Sequence, residues 1–247
     1  MKSKQKLSII MPAYNEEKTI SKVLEALLNV DYQGREFELI VVNDGSRDNT
    51  KKALDAINDP RVKVFHKENG GKGSAVIEGL KHVTGDIIII QDADLEYDPN
   101  DIPRLVDQVG KNGARVVYGS RFMGSIRHMP IPNRIANWIL TVMNNILYGK
   151  RLTDACTCYK VMDCKIAKDL HLKDTGFDIC NEITSKVFKN GEKIIELPIR
   201  YNMARSVKEG KKAKWWNLLK SMWAVLYYRF APLGEAKLSV SAKKSHQ

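Results

Sequence analysis

The chain predicts an α/β fold: a Rossmann-like, mostly parallel sheet with helices on both faces, joined in its second half by amphipathic helices. Three observations carry this. Short apolar runs alternate with stretches of helical periodicity through about the first 120 residues. One run, Ile87-Ile88-Ile89-Ile90, is apolar at every position, the pattern of a strand buried on both faces. Polar and glycine-rich segments follow the runs, as expected where ligand loops leave the carboxyl ends of parallel strands.

Leu7 to Met11 is the first strand. Ile20, Val23, Leu24, Leu27 and Leu28 recur at helical spacing and predict an amphipathic helix. Phe37 to Val42 is the second strand, ended by the turn Asn43-Asp44-Gly45-Ser46. A helix around Ala53, Leu54 and Ile57 leads to a strand over Val62 to Phe65. Gly70-Gly71-Lys72-Gly73 opens a helix through Val76, Ile77 and Leu80, which feeds the Ile87–Ile90 strand. A helix through Ile102, Leu105, Val106 and Val109 and a strand over Arg115 to Tyr118 complete the alternation, which implies a parallel sheet.

The second half is less regular. Ile135 to Tyr148 is apolar apart from three asparagines, a length that suits a core or interfacial helix. Glu192 to Ile199 reads as a late strand ended by Pro198. On a helical wheel over Ala213–Phe230, Trp215, Leu219, Met222, Trp223, Leu226 and Phe230 share one face, and Lys214, Asn217, Ser221 and Tyr228 share the other. Such a basic, tryptophan-bearing helix suits a membrane interface, and also a face packed on the domain or on another subunit. Residues 1–212 are therefore expected to form the main unit, with 213–247 a basic amphipathic helix and tail that associates with membranes.

Composition is that of an ordinary globular protein, 43% hydrophobic and 28% charged. No run reaches the roughly 18 apolar residues of a membrane span, and the start reads as a strand rather than a signal peptide, so a cytoplasmic location is expected. Cys156, Cys158, Cys164 and Cys180 lack zinc spacing and are expected to be reduced thiols rather than a redox pair. The net charge of +11 is concentrated between Arg200 and Lys220, where seven basic residues face one acid, Glu209. That block suits phosphates or an anionic surface. Nucleic acid is the disfavoured partner, because no known nucleic-acid motif accompanies the charge.

Asp92-Ala93-Asp94, with Glu96 just beyond, closes the isoleucine strand and offers hard oxygen ligands for Mg2+ or Mn2+ bridging to a nucleotide's phosphates. Asp44 can accept from a base N–H, Tyr14 supplies an aromatic wall, and Lys72 can meet a phosphate or a base carbonyl. The chain has no Gly-x-Gly-x-x-Gly after the first strand and no Walker lysine motif, which argues against a dinucleotide site and a nucleoside triphosphatase.

Three segments, Ser8 to Glu17, Val41-Val42-Asn43-Asp44-Gly45-Ser46 and Asp92-Ala93-Asp94, resemble family 2 inverting glycosyltransferases of the GT-A fold. Gly119-Ser120-Arg121-Phe122, Thr153 to Val161 and Glu209-Gly210-Lys211-Lys212 are similar to the dolichyl- and polyprenyl-phosphate sugar synthases. The resemblance implies a catalytic domain that moves one sugar from a nucleotide-sugar donor, a UDP-sugar favoured over GDP-mannose, to a polyprenyl or dolichyl phosphate. Pro12, Tyr14, Glu16, Val42 and Asp44 would hold base and ribose. Asp92 and Ala93 would lie against the nucleotide, and Asp94 and Glu96 would hold the metal. Glu96 stands where mannosyl-dolichol synthases often carry glutamine. Arg121, Arg134, Arg205 and Lys211 or Lys212 would clamp phosphates. A lipid phosphate acceptor is already ionised and needs no general base; a sugar-hydroxyl acceptor would need one, with Asp154 or Asp178 as candidates. Glu182 is a further carboxylate that the resemblance brings near the site. Attachment would be peripheral, on the inner face of the membrane, through the helices at Asn133–Tyr148 and Ala213–Phe230. A homo-oligomer stays open.

Overall fold

The computed structural model describes residues 4–202 and 215–232. Its strands are β1 (Leu7–Ala13), β2 (Phe37–Asp44), β3 (Val62–Lys67), β4 (Ile87–Ile90), β5 (Val116–Arg127), β6 (Lys160–Asp163) and β7 (Ile194–Asn202). They form one sheet in the order β3-β2-β1-β4-β6-β5-β7. The helices are α1 (Ile20–Leu28), α2 (Thr50–Asp55), α3 (Lys72–His82), α4 (Ile102–Val106), α5 (Ile131–Tyr148), α6 (Cys164–Asp169), α7 (Ile179–Lys189) and α8 (Trp215–Phe230).

β1, β2 and β4 are the buried centre of the sheet, and their pairing is parallel. Helix α3 packs across β1 and β2 so closely that a Cβ on Gly79 would stand 2.5 Å from Ile10 Cγ2. The chain runs outward from β1 through β2 to β3, then returns to place β4 on the other side of β1. The order therefore reverses between β1 and β4, where open α/β sheets hold their ligands.

The structure corrects several sequence expectations. The sheet is mostly parallel, as expected, but the strand alternation did not show β6, which lies antiparallel between β4 and β5. This short strand begins with Lys160, which reads as polar but is fully buried. Its ammonium donates to Ala155 O at 2.8 Å and Thr184 Oγ1 at 3.2 Å, and stands 3.8 Å from the Tyr118 ring centre. Pro198 does not end β7, which continues to Asn202. β7 lies at the sheet edge, where a residue without an N–H costs little, and the ladder to β5 is broken between Ser120 and Ser125. Asn43 and Asp44 belong to β2 rather than to a turn. β5 runs on to Arg127, so Gly119-Ser120-Arg121-Phe122 lies within a strand.

Helix α8 packs against α5 and α7. It buries Ala224 and Val225, and Ser221 and Tyr228 donate hydrogen bonds to Asp178 and Asp174. The apolar face of the wheel points outward: Leu219, Trp223, Leu226 and Phe230 are exposed, Trp223 at 65% and Phe230 at 77%. Helix α5 likewise exposes Ile131, Ile135, Trp138 and Ile146. Among the described residues, no helix is long and apolar enough to cross a membrane. The expected boundary at residue 212 lies outside the described residues.

Candidate active site

The parallel register of β2, β1 and β4 brings their carboxyl ends together around a cleft of about 370 Å³. Pro12, Tyr14, Glu16, Asp44, Lys72, Asp92, Ala93 and Asp94 line it, so eight of the residues singled out in the sequence converge on one wall system. Thr19 ties the loops together, since its hydroxyl lies 2.8 Å from Glu16 Oε2 and 3.0 Å from Ala93 O. Tyr14 is exposed at the rim, where its ring can face a ligand.

Asp44 is almost wholly buried at the end of β2. Its carboxylate accepts from the backbone N–H of Gly70 at 3.0 Å and of Gly71 at 2.7 Å, and from Lys67 Nζ at 2.7 Å. These bonds hold the glycine loop against β2 and offset the cost of burying the charge. Lys72 Nζ lies 2.5 Å from Asp92 Oδ1 and 3.8 Å from Cys158 Sγ. Burial opposes the lysine charge, but Asp92 outweighs it and holds the pKa well above the ordinary lysine value. The cleft thus carries a fixed cation beside its aspartates, a suitable neighbour for a diphosphate.

Asp94 is buried, and its Oδ1 accepts the Glu96 N–H at 3.2 Å. Glu96 does not line the cleft; its Oε2 accepts from the Tyr201 hydroxyl of β7 at 2.7 Å. Among the described residues no three His, Cys, Asp or Glu side chains form a metal-holding group. The hard carboxylate oxygens here suit Mg2+ or Mn2+, ions held by one or two carboxylates with water and substrate phosphate completing the shell.

The remaining predicted residues are less central. Val42 is fully buried in the core against α3, paired with Pro12 of β1, and does not itself line the cleft. Arg121 also lies off the cleft, in a bidentate pair with Asp154: Nε to Oδ2 at 2.7 Å and Nη2 to Oδ1 at 2.9 Å. Burial works against its charge, and Asp154 overrides that to keep the guanidinium firmly protonated. Arg134 is exposed on the first turn of α5. Arg205, Lys211 and Lys212 lie outside the described residues. All four cysteines are free thiols, and burial, followed by the Asp154 charge, pushes Cys156 up to about 12, which makes it a poor nucleophile.

Three lining residues went unnoticed in the sequence: Asn69, Ala75 and Phe177. Phe177 is 80% exposed on the segment between α6 and α7, and its aromatic ring beside a glycine in a polar loop is the signal that could have flagged it. Backbone carbonyls of this segment close the amino end of α3: Gly73 N donates to Gly176 O and Ser74 N to Thr175 O, both at 3.1 Å. The glycines before α3 thus admit the close approach of the protein's own backbone. A Cβ on Gly73 would stand 2.1 Å from Asp174 O, and one on Gly71 2.4 Å from Thr175 O. Gly73→Ala is expected to displace this loop and destabilise the protein by about 1–3 kcal/mol, read as a lowered urea midpoint. An unchanged midpoint would show that the loop yields freely.

The family model described as glycosyl transferase family 2 matches residues 8–170. The chain belongs to glycosyl transferase family 2. This family 2 glycosyl transferase is 30% identical to the UDP-N-acetylglucosamine–dolichyl-phosphate N-acetylglucosaminyltransferase of Methanococcus voltae, over 80% of its own length and 88% of that relative's. It is 29% identical to the dolichol-phosphate mannosyltransferase of Pyrococcus furiosus over 80% of its own length, but spans only 57% of that relative. Its structure resembles that of glucosyl-3-phosphoglycerate synthase from Mycobacterium tuberculosis in complex with Mn2+, UDP and glucosyl-3-phosphoglycerate. The TM-score is 0.69 at 21% identity, covering 91% of this chain and 80% of that one, which establishes a GT-A fold.

Within this family 2 glycosyl transferase, three carboxylates considered from the sequence have structural partners. Asp154 holds Arg121, and Asp178 accepts from Ser221 at 2.6 Å and Asn181 at 3.1 Å. Glu182, fully buried, accepts the backbone N–H groups of Lys173 and Asp174 and pairs with Lys186 at 2.8 Å, so it anchors the loop that closes α3. None of the three lines the cleft.

Proposed function

We propose that the protein is a metal-dependent, inverting glycosyltransferase that moves one sugar from a nucleotide-diphosphate sugar, with a uridine donor favoured, to a polyprenyl or dolichyl phosphate. It works peripherally on the inner face of a membrane. The observation that carries this reading is the orientation of α8, whose polar side is bonded to the protein while Leu219, Trp223, Leu226 and Phe230 face outward. Together with the exposed isoleucines and Trp138 of α5, they offer an apolar surface to lipid. The two relatives named as dolichyl- and dolichol-phosphate transferases support the acceptor class.

The carboxylate partners fit the same chemistry. Asp154 and Asp178, the candidates for a base toward a sugar hydroxyl, are bonded elsewhere and stand off the cleft. A phosphate oxygen attacks without losing a proton, so no base is needed. Its oxygen bonds to the anomeric carbon as the bond from that carbon to the nucleotide's β-phosphate oxygen breaks, which inverts the configuration. Tyr14, Glu16 and Asp44 would bind the nucleoside, and Lys72 beside Asp92 would lie toward its phosphates. Asp94, with Glu96 behind it, would hold Mg2+ or Mn2+, which neutralises charge on the departing diphosphate. Arg121, Arg134, Arg205 and Lys211 or Lys212 would serve acceptor and donor phosphates.

The test is incubation of the full chain with Mn2+, a polyprenyl phosphate in anionic vesicles, and UDP-glucose, UDP-N-acetylglucosamine or GDP-mannose in separate reactions. A sugar-phosphate lipid of inverted anomeric configuration from a uridine donor is expected. Transfer to free glycans with none to the lipid phosphate would overturn the reading.

A further inference from the structure

The helix that faces lipid and the cleft that would hold the donor are joined by one short segment, Lys173–Asp178. On the α8 side, the Tyr228 hydroxyl donates to Asp174 Oδ2 at 2.9 Å and the Ser221 hydroxyl to Asp178 Oδ1 at 2.6 Å. Asp174 is held on three sides. Its second oxygen accepts the Gly176 N–H at 2.7 Å, and its own N–H donates to Glu182 at 2.8 Å. Gly176 O in turn accepts the Gly73 N–H at the start of α3. One residue back, Lys72 meets Asp92, and one further, Gly71 N donates to Asp44. Phe177, between the two tethered aspartates, stands on the cleft rim. Every link in this path is a polar contact or a peptide unit, and all of the named polar contacts except Gly73 N to Gly176 O involve a carboxylate, the stronger class.

We infer that Tyr228 and Ser221 are positioning residues for the donor cleft, setting the Lys173–Asp178 segment and, through it, the glycine loop and Phe177. The inference rests on the reading above for the identity of the donor and for the lipid face of α8. Helix α8 is then more than an anchor, because whatever holds it in place also holds the wall of the nucleotide site. Linkage makes the effect reciprocal: a nucleotide that orders the segment stabilises the docking of α8, and α8 docked on its lipid face tightens the nucleotide. The Tyr228 ring sits partly buried between α8 and the segment, and burial followed by the nearby Glu182 charge keeps its hydroxyl protonated and donating.

The experiment uses the full chain and Tyr228→Phe, which removes only the hydroxyl. Hydrogen exchange is followed at residues 73–75 and 173–178, and binding of UDP and of GDP, each with Mn2+, is titrated. Loss of a hydrogen bond to a carboxylate is expected to speed exchange in both segments and weaken nucleotide binding roughly tenfold. In turnover the KM for donor should rise by a similar factor with kcat at saturating donor unchanged, and vesicle sedimentation should match wild type. Ser221→Ala, a smaller change, should move the same readouts in the same direction if Tyr228→Phe folds poorly. Exchange and nucleotide affinity within twofold of wild type in a folded variant would overturn the inference. A failure of the lipid-phosphate reading looks different: the wild type makes no glycolipid, while exchange and nucleotide titration still report on the coupling.

Discussion

Replacing Asp94 with alanine is expected to abolish sugar transfer, by about a thousandfold or more, with the melting temperature close to that of the wild type. Asp94 follows β4 on the cleft wall, where its Oδ1 accepts the neighbouring Glu96 N–H at 3.2 Å, and truncation to alanine leaves the backbone there in place. What it would remove, on the proposed mechanism, is an anionic oxygen that holds a divalent cation against a nucleotide diphosphate. Asp94→Asn separates charge from shape, because the amide still accepts the Glu96 N–H but binds a hard cation poorly. Transfer and Mn2+ binding, the latter by calorimetry in the presence of UDP, should fall together in both variants. Glu96→Gln should be milder, since Glu96 stands behind the cleft with its carboxylate on Tyr201. Normal transfer by Asp94→Ala with metal chelated would remove the metal from the mechanism.

The site was legible where the sheet made it so. Strands β1, β2 and β4 each hold an unbroken apolar run (residues 9–11, 39–42 and 87–90), so their ends, and with them Tyr14, Asp44 and Asp92 to Asp94, could be placed at one edge from the sequence. The second half hid its structure behind buried polar side chains. Strand β6 opens with Lys160, and α7 buries Asn181, Glu182, Thr184 and Ser185 along with its apolar residues, which blurs the periodicity of both. Glu182 is tolerated inside because the backbone N–H groups of Lys173 and Asp174 and the Lys186 ammonium meet it, and Thr184 because it bonds Tyr118, Lys160 and Ala155. A helical wheel over α8 separated its two faces, but not which one faces the protein. Asp174 and Asp178 settle that, by bonding Tyr228 and Ser221 from 54 and 43 residues upstream.

Arg121 and Asp154 carry the largest expected effect on stability. The pair is buried, with side-chain exposures of 7% and 0%, and Asp154 also accepts the Arg121 N–H at 3.1 Å and the Cys156 N–H at 3.2 Å. Removing either partner leaves an uncompensated charge in the interior, so Arg121→Ala or Asp154→Ala should each cost about 3–5 kcal/mol. In a chain of this length that lowers the melting temperature by roughly 6–20 °C, measurable by calorimetry. Loss of transfer in either single variant therefore says nothing about chemistry. The double replacement Arg121→Met with Asp154→Leu restores an apolar, volume-filling contact and should recover most of the lost stability. Arg121 meets Asp154 through Nε and Nη2, a geometry that fixes the plane of the guanidinium and aims Nη1 independently of the pair. If Arg121 presents that edge to an acceptor phosphate, the stable double variant should still transfer sugar about a hundredfold more slowly than wild type. Wild-type transfer at restored stability would make the pair a strut within β5 and nothing more.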